Sequence, residues 1–288
     1  MIIWRQPISD YLELTKPRLS ALVLATTGAG FWLGMRQPQR LLSLIPTMLG
    51  TALIVGGANA LNQWSERSLD ALMHRTKHRP LPTGRLDPVA ACRFGIALSL
   101  AGVMLLALAV NWLSALLAAV SWASYVLVYT PLKRRTPLCT LVGAIPGALP
   151  PMIGWAAARG ALGLEAWTLL TIVFLWQLPH FLAIAWMYRE DYARAGFLML
   201  PVIEPDGRST GRQAVLYAAA LLPLSLVPTL IHMAGPAYFA GALALTLLFL
   251  GLTIKFARTR AVSDARRLFL GSIIYLPLLW ILMIAGRT

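Results

Sequence analysis

The chain has 288 residues, of which 58% are hydrophobic and only 12% are charged. A soluble domain typically carries about a quarter charged residues, so this composition excludes an ordinary soluble protein and indicates a membrane protein. The formal net charge of +14 would suggest a nucleic-acid ligand in a soluble protein, but here the basic residues stand in short loops between apolar segments. We therefore expect contact with membrane lipid and no nucleic-acid partner.

The amino-terminal segment mixes charged and apolar residues and lacks the continuous apolar stretch of a signal peptide, so we expect no cleaved leader. Residues 8–14 are amphipathic, which predicts a short helix on the membrane surface. Pro17 follows, and because proline is common in the first turn of a helix, the first membrane span is expected to begin there.

Apolar stretches of membrane-spanning length fill most of the remaining chain, since a spanning helix needs about 20 such residues. The predicted spans are residues 19–35, 41–61, 94–110, 112–130, 138–158, 166–187, 214–233, 237–254 and 268–285. The third and fourth spans meet at Asn111 with almost no loop, so hydropathy alone leaves eight spans as an alternative to nine. We predict an all-α, polytopic membrane protein with nine transmembrane helices, in which residues 1–288 form one transmembrane domain.

Basic residues are distributed unequally between the two sides of this arrangement. Of the 25 Lys and Arg residues, those on the poorer side are Arg36, Arg40, Arg159 and Arg287. The positive-inside rule then places the amino terminus and the basic loops in the cytoplasm, with the chain in a bacterial inner membrane. The acidic residues cluster on the same side, with Glu165 alone opposite. Because carboxylates contribute little to topology, their clustering needs another cause, and chemistry is a candidate.

Two long loops on the basic side carry charges of both signs, and the first holds the most informative spacing in the chain. Asn62, Glu66 and Asp70 are separated by steps of four, so a helix continuing from the second span would align them on one face. Two carboxylates and an amide oxygen suit a hard cation such as Mg²⁺, which completes its ligand shell with water and substrate phosphate. The spacing therefore predicts a Mg²⁺ site.

Three basic residues follow this face directly and could bind the remaining phosphate oxygens; they are Arg75, Lys77 and Arg79. The alternative interpretation is structural. Glu66 and Asp70 would then form ordinary ion pairs with Arg67 and Arg75 on a solvated helix end.

The second long loop follows four spans later, so it returns to the same side of the membrane. Asp191 is its best metal-ligand candidate because it is nearest to the membrane, whereas Glu204 and Asp206 fit a surface turn. Tyr129 and Lys133 are four residues apart at the inner end of the fourth span, and they are candidates for a further phosphate contact.

His180 is the histidine placed deepest in a predicted span, directly after Pro179. An ionisable residue inside a membrane is a functional candidate by default, so His180 could ligate haem iron or hydrogen-bond a substrate. The alternative is a histidine that bonds to a neighbouring helix.

Small residues and prolines fill residues 143–155, and these prolines are expected to bend the fifth span around a substrate cavity.

At these residues the sequence resembles the UbiA-type intramembrane prenyltransferases, and within them the branch of the haem O synthases. The resemblance runs from Leu14 to Val202, and its most specific segments are NQWSERSLDALMHRTKHRPLP, YTPLKRRT, GAIPGALPPMIGW, WQLPHF and EDYARAGFLMLPV. It implies helices around a central, lipid-accessible cavity, with two acidic loops binding a Mg²⁺ diphosphate at the cytoplasmic side. It also implies farnesyl diphosphate and haem B as substrates and haem O as product, used downstream by a haem A synthase or a terminal oxidase.

Under this resemblance Glu66, Asp70 and Asp191 are the catalytic metal ligands, and His180 contacts haem. The implied diphosphate contacts are Asn62, Arg75, Lys77, Arg79, Tyr129 and Lys133. The sequence departs from the family pattern in two places. Glu66 stands where many relatives have Asp, and the second loop has Asp191 without the repeated Asp spacing of quinone-type relatives.

Two other functions are weighed against this one. A prenyltransferase of the same architecture could act on a quinone precursor or a similar ring, but WQLPHF and the single Asp of the second loop argue against it. A transporter or a haem-binding membrane protein would be expected to carry ionisable groups near the middle of the membrane rather than at one surface.

Overall fold

The computed structural model describes residues 8–288, so Arg5, one of the bases used for orientation, lies outside the described residues. No β-strand is found within residues 8–288. The α-helices are α1 (Ile8–Thr15), α2 (Pro17–Gly34), α3 (Leu44–Asp70), α4 (Pro88–Ala109), α5 (Trp112–Ala123), α6 (Thr130–Leu132), α7 (Cys139–Arg159), α8 (Leu164–Met187), α9 (Arg189–Arg194), α10 (Leu200–Ile203), α11 (Arg208–Leu230), α12 (Pro236–Thr259) and α13 (Val262–Ala285). A 3₁₀ turn, Pro38–Ser43, precedes α3, and a π-helical segment, Ser124–Tyr129, joins α5 to α6.

Eight helical segments of the described chain are long and apolar enough to cross a membrane, judged by length and composition. They are α3 with its preceding turn, α4, the continuous α5 to α6 segment, α7, α8, α11, α12 and α13. The first predicted span, residues 19–35, corresponds to α2, which has 18 residues but is not among the eight, because Pro17 and Arg18 lower its mean hydropathy. The predicted all-α membrane fold is confirmed, and the count of nine spans is approximate.

The predicted break between the third and fourth spans is present at Asn111. This residue begins α5, and its Oδ1 accepts hydrogen bonds from the backbone N–H of Ser114 at 2.9 Å and the Ser114 hydroxyl at 2.8 Å. Its Nδ2 donates to the carbonyl oxygen of Ala156 at 3.0 Å. Asn111 thus caps one helix and ties it to α7, which explains how two spans meet without a loop.

Helix α7 is the most buried of the candidate spans and packs closely against α2. A Cβ atom built on Gly154 would lie 1.9 Å from the carbonyl oxygen of Thr27, so the two backbones approach at a distance that only glycine permits. Pro150 has no N–H to donate to the carbonyl of Pro146, and the Ser121 hydroxyl donates to that carbonyl at 3.0 Å instead. The proline-rich segment therefore remains helical at the centre of the bundle.

Candidate active site

The spacing of Asn62, Glu66 and Asp70 is realised as predicted, because α3 continues to Asp70. All three side chains are buried, although they lie at the end of the helix from which the charged loops extend. The Asn62 amide donates to the Thr130 hydroxyl at 3.1 Å, which fixes the orientation of the amide and joins α3 to α6. One helix face thus presents a buried row of oxygen atoms at the end of the bundle that holds the two loops.

Glu66 forms a buried ion pair with Lys133, whose Nζ lies 2.8 Å from Oε1 and 3.1 Å from Oε2. Burial acts to lower the pKa of Lys133, but the charge of Glu66, its hydrogen bond to Lys133 and the phenol groups of Tyr129 and Tyr125 outweigh burial, so that this pKa is raised. The ammonium also lies 4.6 Å from the centre of the Tyr129 ring, at cation–π distance. Lys133 is therefore charged and held in place.

Asp70 is bound by the loop that follows it. Nη1 of Arg79 lies 2.8 Å from Oδ2 of Asp70, and the Asp70 carbonyl accepts a 2.8 Å hydrogen bond from the Thr76 hydroxyl. The loop therefore folds back over the end of α3 and brings a guanidinium to its last carboxylate. The alternative pairing with Arg67 is not observed, because Arg67 donates to the carbonyl of Trp64 at 2.8 Å.

The second charged loop meets the first through Asp191. Its carboxylate accepts the backbone N–H groups of His74 at 3.2 Å and Arg75 at 3.3 Å, and it pairs with the guanidinium of Arg194. Burial would raise the pKa of Asp191, but these donors outweigh burial and the pKa is lowered. Asp191 is therefore an ionised group that binds the first loop to the second.

The buried carboxylates of Glu66, Asp70 and Asp191 form a charged cluster with Lys133 and Arg79. A cavity of about 300 Å³ begins beside this charged cluster and extends into the bundle. Helices α2, α3, α5 and α7 line it, together with the π-helical segment and Phe181 of α8. Within the π-helical segment Tyr125 and Tyr129 both face the cavity, with ring centres 5.5 Å apart, and such segments often occur at functional sites. Pro146 and Pro150 line the opposite wall, as predicted for the proline-rich segment. Tyr129 contacts both Lys133 and the cavity, so the charged cluster and the apolar chamber are continuous.

A model of the "UbiA prenyltransferase family" matches residues 23–281 of this sequence. The chain belongs to this family. A protoheme IX farnesyltransferase of Solibacter usitatus is 53% identical over 287 residues, which cover 96% of this chain and 98% of that protein.

Solved structures of the family have the same fold. A structure of a digeranylgeranylglyceryl phosphate synthase aligns with a TM-score of 0.81 at 16% identity, over 97% of this chain and 98% of its own. A UbiA homologue from Archaeoglobus fulgidus, bound to DMAPP and Mg²⁺, aligns with a TM-score of 0.68 at 16% identity, over 95% and 99% of the two chains. At these identities the structures establish the fold alone, and they agree with an integral membrane protein.

Each of the three carboxylates predicted as metal ligands in this UbiA-family chain is bound to a cation of its own. Within residues 8–288 no group of three or more His, Cys, Asp or Glu side chains is arranged to hold a metal ion. The donor types nevertheless suit a hard cation, and Oε1 of Glu66 is a buried oxygen with no hydrogen bond to the described residues, because its 2.8 Å contact with Lys133 lacks hydrogen-bond geometry. To share one ion, Glu66, Asp70 and Asp191 would each have to exchange the basic partner that each now has.

The predicted phosphate contacts separate into two groups. Arg79 and Lys133 pair with the buried carboxylates, whereas Arg75 and Lys77 are exposed. The guanidinium of Arg75 lies 5.2 Å from the centre of the Tyr188 ring at the mouth of the second loop. The first two are therefore parts of the charged cluster, and the other two lie at its rim.

Lys16 belongs to the charged cluster and was missed as a site residue. Its side chain retains some accessible surface, yet its pKa is lowered to about 7. Burial by the surrounding protein is the largest cause, and the charges of Arg79 and Lys133 add to it, while Glu66 and Asp70 oppose them. From the sequence, Lys16 indicated only the orientation of the chain in the membrane. A signal was present in its neighbour Pro17, since proline fixes the start of α2 and hence a sharp corner at Lys16.

His180 does not line the cavity; the neighbouring Phe181 does. Its Nδ1 lies 2.7 Å from the Ser272 hydroxyl of α13, and its ring stacks between Trp176 and Phe269 with centre distances of 5.3 and 5.1 Å. These contacts correspond to the alternative of a histidine bonded to a neighbouring helix. A haem contact of His180 stays a prediction.

Proposed function

We propose that this chain transfers a farnesyl group from farnesyl diphosphate to a vinyl group of haem B, with addition of water, to give haem O. The observation that carries the proposal is the continuity between a cationic and carboxylate-rich cluster and an apolar cavity, joined at Tyr129. A prenyl diphosphate has the same two parts. The relative from Solibacter usitatus matches this chain over 98% of its own length and is named a protoheme IX farnesyltransferase. This name supports haem as the acceptor.

Glu66, Asp70 and Asp191 are proposed to hold Mg²⁺, directly or through water. The Mg²⁺ bound with DMAPP in the Archaeoglobus fulgidus homologue supports this assignment, as does Oε1 of Glu66, a buried oxygen that accepts no hydrogen bond. Bound Mg²⁺ would supply positive charge that stabilises the diphosphate as it leaves. Asn62 would add an amide oxygen or orient the diphosphate from the same helix face.

The diphosphate oxygens are proposed to be neutralised by Lys133, Arg79 and Lys16. Arg75 and Lys77, at the rim, would guide the anion into the site.

The allylic carbon–oxygen bond of the substrate breaks and its electron pair leaves with the diphosphate. The π electrons of the haem vinyl group form the new carbon–carbon bond. A water oxygen then bonds to the cationic carbon beside the porphyrin and loses a proton, which gives the hydroxyl group of the product.

The apolar wall of the cavity has a chemical task in this scheme. It keeps water from the farnesyl cation until the vinyl group has reacted, so that farnesol is not released. Tyr129 fits the boundary between the two regions because its ring faces the cavity and contacts the Lys133 ammonium.

We further propose that the charged end of the bundle faces the cytoplasm in a bacterial inner membrane, in keeping with its excess of Lys and Arg. The haem and the prenyl diphosphate would then be taken from the same side. Haem O would pass to a haem A synthase or a terminal oxidase.

Release of diphosphate tests the proposed reaction against its rivals. Purified protein with Mg²⁺ and farnesyl diphosphate should release diphosphate only when haem B is added, and farnesylated haem should form in equal amount. Release driven by a quinone precursor instead would favour the other prenyltransferase activity, and haem binding without release would favour a haem-binding protein or transporter. Asp70→Asn is the control, since full activity of this variant would contradict the metal assignment.

A further inference from the structure

The second charged loop reaches Lys133 through the two residues that follow the end of α9. The backbone N–H of Leu198 donates to the carbonyl oxygen of Lys133 at 2.8 Å. The buried ring of Phe197 has its centre 5.7 Å from the Lys133 ammonium, and the ring of Tyr129 has its centre 4.6 Å from the same group. Lys133 is therefore held by its backbone and, through two aromatic rings, by its ammonium.

A glycine sets the direction in which the chain leaves α9. Gly196 has a φ of 68°, in the left-handed region. The N–H of Phe197 then donates to the carbonyl of Tyr192 at 2.9 Å, and the two rings meet edge to face with centres 6.0 Å apart. This is the Schellman ending of a helix, in which a left-handed glycine turns the following residue back against the last turn. The conformation of Gly196 thereby places Phe197 against Lys133.

The other end of α9 binds the first charged loop. Asp191 accepts the backbone N–H groups of His74 and Arg75 at 3.2 and 3.3 Å. Because α9 has only six residues, a short helical segment joins the first loop to Lys133. The relation between the first loop and this lysine thus depends on backbone hydrogen bonds at both ends of α9.

Lys133 needs these contacts most when an anion is bound. In the structure its ammonium lies 2.8 Å from Oε1 of Glu66, which restrains it. A diphosphate oxygen that attracts the ammonium competes with this carboxylate, and the two rings and the anchored backbone are then the contacts that remain. A lysine side chain loses much rotamer freedom when it is fixed, so contacts that restrain it beforehand favour binding of the anion.

We propose that Phe197 and Leu198, placed by Gly196, are positioning residues that hold Lys133 for the diphosphate of the substrate. This inference rests on the proposed function, since it takes Lys133 to bind diphosphate. It gives the second loop a task besides the proposed metal binding by Asp191. The loop also fixes the place of a cation that lies outside it in the sequence.

Binding of farnesyl diphosphate to the full-length protein, with Mg²⁺ and without haem, tests the proposal at Gly196. Nothing lies within 4 Å of a Cβ atom at this position, so Gly196→Ala acts only by disfavouring the left-handed backbone. The dissociation constant should rise about tenfold, as expected when a charged contact is misplaced. Gly196→Asn should recover most of the affinity, because asparagine adopts this conformation more readily than alanine.

Gly160→Ala is the matched control for this substitution. Gly160 has a φ of 73° and equally open surroundings, but it ends α7 at the opposite end of the bundle. The backbone strain is therefore similar, and the affinity for farnesyl diphosphate should stay that of the wild-type protein.

Phe197→Leu tests the ring itself. It should weaken binding of farnesyl diphosphate and of inorganic diphosphate by a similar factor, about fivefold, because the ring acts on the ammonium and not on the prenyl chain. Added to the double variant Glu66→Gln with Lys133→Met, it should cause little further loss, since the ammonium is absent. Phe31→Leu is the control, because Phe31 is fully buried among alanines of α7 and makes no cation–π contact with the described residues. It should leave both affinities unchanged.

Equal affinities of Gly196→Ala and Gly160→Ala would overturn the proposal. An undiminished loss from Phe197→Leu in the protein without the Lys133 ammonium would overturn it equally. Because these quantities are measured by binding, they are independent of haem transfer. Formation of haem O by a protein in which neither Gly196→Ala nor Phe197→Leu changes affinity would refute this inference alone. The predicted order of affinities without farnesylated haem would refute the acceptor assignment alone.

Discussion

The ammonium of Lys133 lies 2.8 Å from Oε1 of Glu66, and both residues are buried at the junction of the charged cluster and the cavity. The pair sets the charge balance of the site, because each partner neutralises the other when no substrate is present. Under the proposed function, a diphosphate that bound Lys133 would weaken the hold of this ammonium on Glu66 and leave the carboxylate free for a metal ion. The pair would then connect substrate binding to metal binding.

Removing one member of this pair should be worse for stability than removing both. Lys133→Met leaves a buried carboxylate without its cation and should lower the free energy of unfolding by about 3 kcal/mol. The double variant Glu66→Gln with Lys133→Met should recover most of that loss, although it is expected to be inactive. Thermal unfolding in detergent compares the three proteins, and a double variant less stable than Lys133→Met would contradict the pairing.

The lowered pKa of Lys16 predicts that substrate binding depends on pH. The protonated amine is the form proposed to bind diphosphate, and its pKa is lowered to about 7, so affinity should be full below that pH and fall as pH rises, by up to about tenfold per unit. The neighbouring charges are those of Arg79, Lys133, Glu66 and Asp70. Dissociation constants of farnesyl diphosphate across neutral pH measure the effect.

Lys16→Arg is the control for this pH profile, because a guanidinium stays protonated throughout the range. Its affinity should be nearly independent of pH above neutrality. A profile identical to that of the wild-type protein would show that another group, including the substrate itself, causes the decline.

Gln63 is predicted to position Lys16. Its Nε2 donates to the carbonyl of Leu14 at 2.8 Å, and Asn59 donates to the carbonyl of Thr15 at 3.2 Å, so two side chains of α3 hold the corner at which Lys16 adopts a φ of 50°. Gln63→Leu should weaken farnesyl diphosphate binding by about tenfold. In a Lys16→Met background the same change should have little further effect. Additive losses in the double variant would contradict this role.

Gly143 is predicted to be required for the position of Tyr129. A Cβ atom at Gly143 would lie 2.6 Å from a ring carbon of Tyr129, so Gly143→Ala must move the ring that contacts Lys133. We expect at least about a tenfold loss of farnesyl transfer, which is the effect of a small misplacement at a reacting group. Gly251→Ala is the control because nothing lies within 4 Å of its added Cβ, and it should retain activity. Equal activity of both variants would contradict the prediction.

Periodic and compositional features of this chain were predicted well from the sequence. The spacing of Asn62, Glu66 and Asp70 required only that one helix continue beyond the apolar stretch, and α3 does so. The helix predicted before Pro17 is present as α1, and the break at Asn111 is present as a helix cap. Each of these features depends on neighbours within a few turns of the same chain segment.

Features that depend on contacts between distant segments could not be predicted. Lys16 is brought to the cluster by α3 side chains more than 40 residues away, and a charge next to a span has an ordinary explanation in topology. The choice of Lys133 as the partner of Glu66, rather than nearby Arg67, also follows only from the packing of α3 against α6, which ends next to Lys133.

Pigment analysis tests the central claim most directly. The chain should be expressed in a bacterial strain that makes haem B but lacks haem O. The extracted haems should be separated, and their molecular masses should be measured by mass spectrometry. The account predicts a haem heavier than haem B by one farnesyl group and one hydroxyl group, and its loss in an Asp70→Asn variant present at the same level in the membrane. Haem B alone, in cells whose membranes contain the folded wild-type protein, would contradict the proposed function.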